Sequence, residues 1–306
     1  MGQHREAHGH SLAEDLTVME AMVARRRALK WFAGAGTAAL VAGCGGSGDS
    51  STETASSVSV VSATPTPTAT AAATATPTAT ATATASTSGC VADPTETSGP
   101  YPADGTNTSS GSTSNVLTAN GIVRSDIRAS FISSTTVATG VQVALTITLA
   151  NVNASCAPLS GYAIYLWHCD RSGLYSLYTG AASESYLRGV QVTDANGQVT
   201  FTTIFPGCYD GRWPHMHFEV FSSLSNALGG KYAVLTSQFA MPSALCNTIY
   251  ADTATYPSSA SNFKSVSLSS DMVFADNTSA QLAQQTPAFT AASTGYTATA
   301  LIGIAR

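Results

Sequence analysis

The chain has 306 residues, a formal net charge of −5 and only 10% charged side chains. Beyond residue 89 its eight Lys/Arg and twelve Asp/Glu stand singly. The clustered cations that displace counterions from phosphates are missing, which speaks against nucleic-acid binding. Composition divides the chain into a leader over residues 1–44, a low-complexity stretch over 45–89, and a region over 90–306 long enough for one domain with a sizeable core.

The leader carries Arg25-Arg26-Arg27-Ala28-Leu29-Lys30, a twin-arginine pattern, followed by an apolar run from Trp31 to Gly43. Thirteen helical residues reach roughly 20 Å, short of the ~30 Å hydrocarbon core, so the run reads as a signal peptide rather than a membrane span. Val41-Ala42-Gly43-Cys44 resembles a lipobox, with Cys44 as the lipidated residue. Translation starting at Met19 or Met22 would shorten the preamble. From 45 to 89 the chain is Ser, Thr, Ala and Pro, including Pro65-Thr66-Pro67-Thr68. Such a stretch buries too little to offset its ordering entropy and reads as an extended tether. The expected arrangement is lipid, tether, domain, exported, with the membrane met only through the anchor.

Export places the cysteines in an oxidising compartment. Setting Cys44 aside leaves Cys90, Cys156, Cys169, Cys208 and Cys246, an odd number, so at least one is free or paired outside the chain. Spacing does not fix the connectivity. Cys169 and Cys208, each close to a candidate ligand, form a reasonable pair.

In the third region Val141, Val143, Leu145, Ile147 and Leu149 alternate with smaller or polar residues, the period of a half-buried strand. Similar β-rich runs cover 162–170, 198–205, 215–221 and 232–240, with a last strand over 297–305. Asp194-Ala195-Asn196-Gly197 reads as a turn, since Asn-Gly tolerates positive φ. Convincing amphipathic helix is scarce. The pattern predicts an all-β sandwich or barrel.

The sharpest local feature is His215-Met216-His217. On a strand, i and i+2 face one way about 6.5–7 Å apart, so two imidazoles can converge on one ion. Alone, His-x-His is weak, and a core histidine is the bland alternative. Yet of six His, three sit in the leader, leaving His168, His215 and His217 for the domain. Tyr209 precedes His215 by six residues in a glycine-flanked loop, and Tyr175 follows the run containing Trp167-His168. A trivalent metal lowers the phenol pKa from near 10 and takes phenolate as a hard ligand.

The segment Leu166-Trp167-His168-Cys169-Asp170-Arg171-Ser172-Gly173-Leu174-Tyr175-Ser176 resembles a motif of the intradiol ring-cleavage dioxygenases, the family of catechol 1,2- and protocatechuate 3,4-dioxygenases. So do Tyr186-Leu187-Arg188-Gly189, Phe201-Thr202-Thr203-Ile204-Phe205-Pro206-Gly207, and then Tyr209, Arg212, His215 and His217 in order. The likeness spans roughly residues 90–280 and is nearer to exported single-domain members.

The resemblance implies a β-sandwich holding Fe(III) through Tyr175, Tyr209, His215 and His217, with a catechol and O2 as substrates, a muconate-type diacid as product and no organic cofactor. It implies that Tyr175 stays bound, while Tyr209 is displaced by substrate and accepts its proton. Arg212 would steady charge developing on the ring; its bland role is a salt bridge with Asp210 or Glu219. Gln238 falls where the family has a pocket glutamine. Tyr101, in Thr97-Ser98-Gly99-Pro100-Tyr101, falls at the domain entrance and is a substrate-binding candidate. His168, Tyr178 and Tyr186 are assigned to packing. The loop from Tyr209 to His215 is short, and no helical dimerisation region precedes Cys90, so the cytosolic pocket and dimer are not carried over. Oligomeric state and the particular catechol stay open. The competing reading is a lipid-anchored β-sandwich binding carbohydrate or another ligand, its histidine pair structural or holding zinc.

Overall fold

A computed structural model describes residues 90–306 apart from Lys231. The leader, the tether and Cys44 lie outside the described residues. The alternating run becomes β1 (Gln142–Asn151), whose Val143, Leu145, Ile147 and Leu149 point into the core. β1 pairs antiparallel with β5 (Gln198–Ile204) and, at its far end, with the two-residue β2 (Ala157–Pro158). On its other side it pairs parallel with β9 (Tyr296–Ile304), which forms a hairpin with β8 (Ala288–Ala291). The second sheet runs β4 (Arg188–Val192), β3 (Ala163–Trp167), β6 (His215–Phe221) and β7 (Leu235–Ala240), all antiparallel.

The expected two-sheet β architecture therefore stands. Ile164 and Leu166 of β3 and Met216, Phe218 and Val220 of β6 join the β1 residues in one apolar core between the sheets. The expected turn also forms: Gly197 has φ +71°, and a Cβ there would lie 2.6 Å from Leu149 O. Asp194 Oδ1 accepts from Asn196 N and Gln198 N, both at 2.8 Å.

Unlike β1, β6 is buried at every position. Its second face meets a smaller cluster in which Ala163, Tyr165 and Trp167 of β3 pack with Ala103, Val116, Leu117, Tyr175 and Leu177. Burial on both faces removes the polar alternation that marks a half-exposed strand. This second, loop-covered face carries His215 and His217.

Several boundaries differ from expectation. β3 stops at Trp167, and β7 begins only at Leu235. β4 and β8 were not anticipated. Nor were four short helices, α1 (Leu224–Leu228), α2 (Ser243–Tyr250), α3 (Ser259–Lys264) and α4 (Ser279–Gln284), the last opened by a Thr278/Gln281 capping box. The suspected Cys169–Cys208 pair is wrong. Among the described residues the disulfide is Cys90–Cys156, which closes a 66-residue separation; a loop of that size stabilises by about 4 kcal/mol in the chain-entropy picture. Cys169, Cys208 and Cys246 are buried thiols. The Cys169 and Cys208 sulfurs turn toward the Gly207 and Arg212 carbonyls, at 3.5 and 3.6 Å, instead of toward each other.

Candidate metal centre

The strand geometry brings the two imidazoles together as predicted, with His215 Nε2 3.1 Å from His217 Nε2. Tyr175 Oη lies 3.2 Å and Tyr209 Oη 3.3 Å from the same His215 nitrogen. Four donor atoms from three chain segments thus meet at one point. Tyr175 arrives on the loop after β3, and Tyr209 on the loop between β5 and β6. Those two loops touch where Gly173 (φ +83°) leaves no room for a side chain: a Cβ there would stand 2.8 Å from Tyr209 Cβ. His217 is walled by Trp167, stacked parallel at 4.9 Å and 6°, and by Gly99, whose added Cβ would lie 3.2 Å from the imidazole.

Protonation states follow from the hydrogen bonds. His215 Nδ1 donates to Trp213 O at 2.5 Å, which leaves Nε2 as a bare lone pair facing the cluster. Burial, reinforced by the Arg212 charge, pushes the His215 pKa down to about 3. Burial, together with His215, holds His217 well below its usual range. Both rings are therefore neutral. Burial also raises both phenols above their usual value. The single His215 lone pair cannot accept from two phenols and His217 at once, and His217 Nδ1 has no partner among the described residues. A cation at the point of convergence would satisfy all four donors, and a highly charged one would supply what burial withholds from two phenolates. The residues present fit a ferric ion in this way. Among the described residues no three His, Cys, Asp or Glu side chains gather closely enough to hold a metal ion, so a four-donor set at this point would include the two tyrosines.

Arg212 is buried beside this centre. Its salt bridge is with Asp271, not with Asp210 or Glu219: Nε donates to Asp271 Oδ2 at 2.9 Å. Asp210 is exposed, and Glu219, pushed up to about 8 by burial and Asp104, accepts instead from Thr236 Oγ1. Burial alone would raise the Asp271 carboxyl, but the adjacent Arg212 outweighs it and holds Asp271 below its usual value. Arg212 Nη2 donates to Gln238 Oε1 at 2.8 Å, and Gln238 Nε2 donates to Thr97 O at 2.8 Å. Gln238 stands opposite His217 in the β6–β7 register, so it shares that face. Tyr101 stacks on Tyr175 at 4.7 Å and meets Tyr178 edge-on. Every candidate site residue of the domain thus falls in one neighbourhood.

Comparison with known proteins points to dioxygenases. Residues 131–228 match the family model described as Dioxygenase. Catechol 1,2-dioxygenase 1 of Acinetobacter lwoffii is 30% identical over 97 residues, covering 25% of this chain and 31% of that protein. The chain thus spans about a third of the length of this curated relative. The intradiol ring-cleavage dioxygenase of Tetranychus urticae has the same fold, with 24% identity, a TM-score of 0.50, and coverage of 71% of this chain and 95% of that one. A second solved dioxygenase superposes over the same shares with a TM-score of 0.52 and 24% identity. Over residues 131–228 this chain is similar to dioxygenases, and its domain has the fold of an intradiol ring-cleavage dioxygenase. The matched segment contains Tyr175, Tyr209, Arg212, His215 and His217; Tyr101, Gln238 and Asp271 lie outside it.

Two further residues shape this site. Arg188 is buried and spends all five N–H groups on Ser176 Oγ, Ser176 O, Pro102 O, Tyr165 Oη and Tyr101 O, at 2.8 to 3.0 Å. It ties the Tyr101 segment to the residue after Tyr175. Its signal was available, as a cation within the Tyr186–Gly189 motif of a chain poor in charge. Asp271 gave none, being 59 residues from Arg212. His168, Tyr178 and Tyr186 are packing residues as expected, with hydrogen bonds to Thr203, Asn107 and Asp170.

Proposed function

We propose that this chain is a non-haem Fe(III) dioxygenase that cleaves catecholic rings between their two hydroxyls, with O2, to muconate-type diacids. The observation that carries the reading is the meeting of two phenol oxygens and two neutral imidazole nitrogens at one buried point. When bound there, Fe(III) would draw electron density from a chelated catecholate and so open the ring to attack by O2.

The chain's own residues divide the remaining work. Tyr175 is nearly inaccessible and packed under Tyr101, which suits a ligand that stays. Tyr209 is half-buried on a short loop, which suits a ligand that leaves and takes a substrate proton at its Oη. Arg212 holds a fixed positive charge next to the phenol oxygens, already desolvated and needing no reorganisation as ring charge develops. Gln238 presents an amide whose two ends are assigned by Arg212 and Thr97, available to orient substrate. Tyr101 offers an aromatic face beside the ligand set.

The direct test is product analysis under 18O2. Iron-loaded protein given catechol should yield a ring-opened diacid carrying both labelled atoms. A product cleaved outside the hydroxyl pair, or one with a single label, contradicts the reading.

A further inference from the structure

Arg212 can serve the reaction only if its guanidinium is aimed, and the aim is set from behind. Asp271 is fully buried. Its Oδ2 accepts from Arg212 Nε at 2.9 Å and from Trp213 N at 2.7 Å. Its Oδ1 accepts from Val273 N and Phe274 N at 2.9 and 3.2 Å. A carboxylate held by three backbone N–H groups cannot swing to follow its partner; Arg212 must come to it. With Nε so fixed, Nη2 falls 2.8 Å from Gln238 Oε1, and the far end of that amide reaches Thr97 O. Thr97 is two residues before Gly99, the glycine against His217. The carboxylate does a second thing. A lone guanidinium beside a trivalent ion would be repelled, and Asp271 balances that charge locally.

We propose that Asp271 is a positioning residue for the dioxygenase site, fixing the Arg212 guanidinium and, through it, which end of the Gln238 amide faces which neighbour. The inference rests on the functional reading above. It places one determinant of turnover 43 residues past the end of the segment that matches the family model.

The test is a double-mutant cycle on iron-loaded protein, reading kcat, KM and iron content together. Asp271→Asn should lower kcat about 10- to 100-fold, the range for losing a partner that orients a site residue from behind, with iron content unchanged and KM moved far less. In an Arg212→Gln background the same change should cost less than about twofold, because the residue it acts through is gone. An equal loss in both backgrounds would mean a merely structural role and overturn the proposal, as would an unchanged kcat for Asp271→Asn. If Asp271→Asn does not fold, Asp271→Glu decides by the same criteria, since it keeps the charge but displaces the guanidinium by a methylene. Wild-type protein that holds iron yet consumes no catechol would instead sink the functional reading on which this one rests.

Discussion

The histidines and the tyrosines of the candidate centre are held by different physics. His215 and His217 ride on β6, which is paired to β3 and β7 on both sides, so their spacing is a property of a strand. Tyr175 and Tyr209 ride on loops, and loops have no ladder. What fixes them is a handful of single contacts: the Arg188 clamp, the Gly173 close approach and the stacking of Tyr101. A backbone ladder spreads its stabilisation over many bonds, whereas a clamp concentrates it in one side chain. The tyrosine half should therefore be the fragile half.

Breaking the clamp should have the largest effect. Arg188→Lys offers three donors from a point where five were spread over a fork, leaving buried acceptors on Tyr101, Pro102 or Ser176 unpaired. The expected cost is about 2–4 kcal/mol of unfolding free energy in urea, together with weaker iron retention, while the β6 ladder is untouched. Arg188→Lys protein that keeps both its stability and its iron would show that the loops are fixed by something else.

Acid should produce a smaller, graded effect on the same half. His168 stands at the root of the Tyr175 loop, with Nδ1 against Cys169 O at 2.8 Å and Nε2 against Thr203 Oγ1 at 2.7 Å. Burial pushes its pKa down from 6.5 to about 4. Between those values the unfolded chain binds a proton that the folded one refuses. Stability is thus full above 6.5 and falls as pH drops toward 4, by up to about 3 kcal/mol from this group. Iron-free wild type should lose stability across that window more steeply than His168→Gln. Parallel pH profiles for the two proteins would remove His168 from the account.

The same contrast explains what was legible in the sequence. β1 and β6 were readable because alternation and the His-x-His spacing are local properties of strands, and the 215–221 run matched its strand at both ends. The Asn196-Gly197 turn was readable for the same reason. Tyr175 and Tyr209 were singled out by the order of motifs in a resemblance; no periodicity marks a loop residue as a ligand. Asp271 was invisible because its pairing with Arg212 spans 59 residues and belongs to no repeat. The disulfide was misjudged because closeness of Cys169 and Cys208 to candidate ligands says nothing of where their sulfurs point. β4 is short and β8 sits at a sheet edge, and both lacked the apolar alternation that would announce them.

The central claim is a ferric centre that depends on both halves, and metal analysis with a visible spectrum tests it most directly. Wild-type protein from iron-replete cells should hold about one ferric ion per chain and be visibly coloured, because tyrosinate-to-iron charge transfer needs both partners. Tyr175→Phe should lose iron and blur that colour, while Tyr209→Phe should keep more iron, since two imidazoles and one phenolate remain. Colourless wild-type protein carrying stoichiometric zinc would contradict the account.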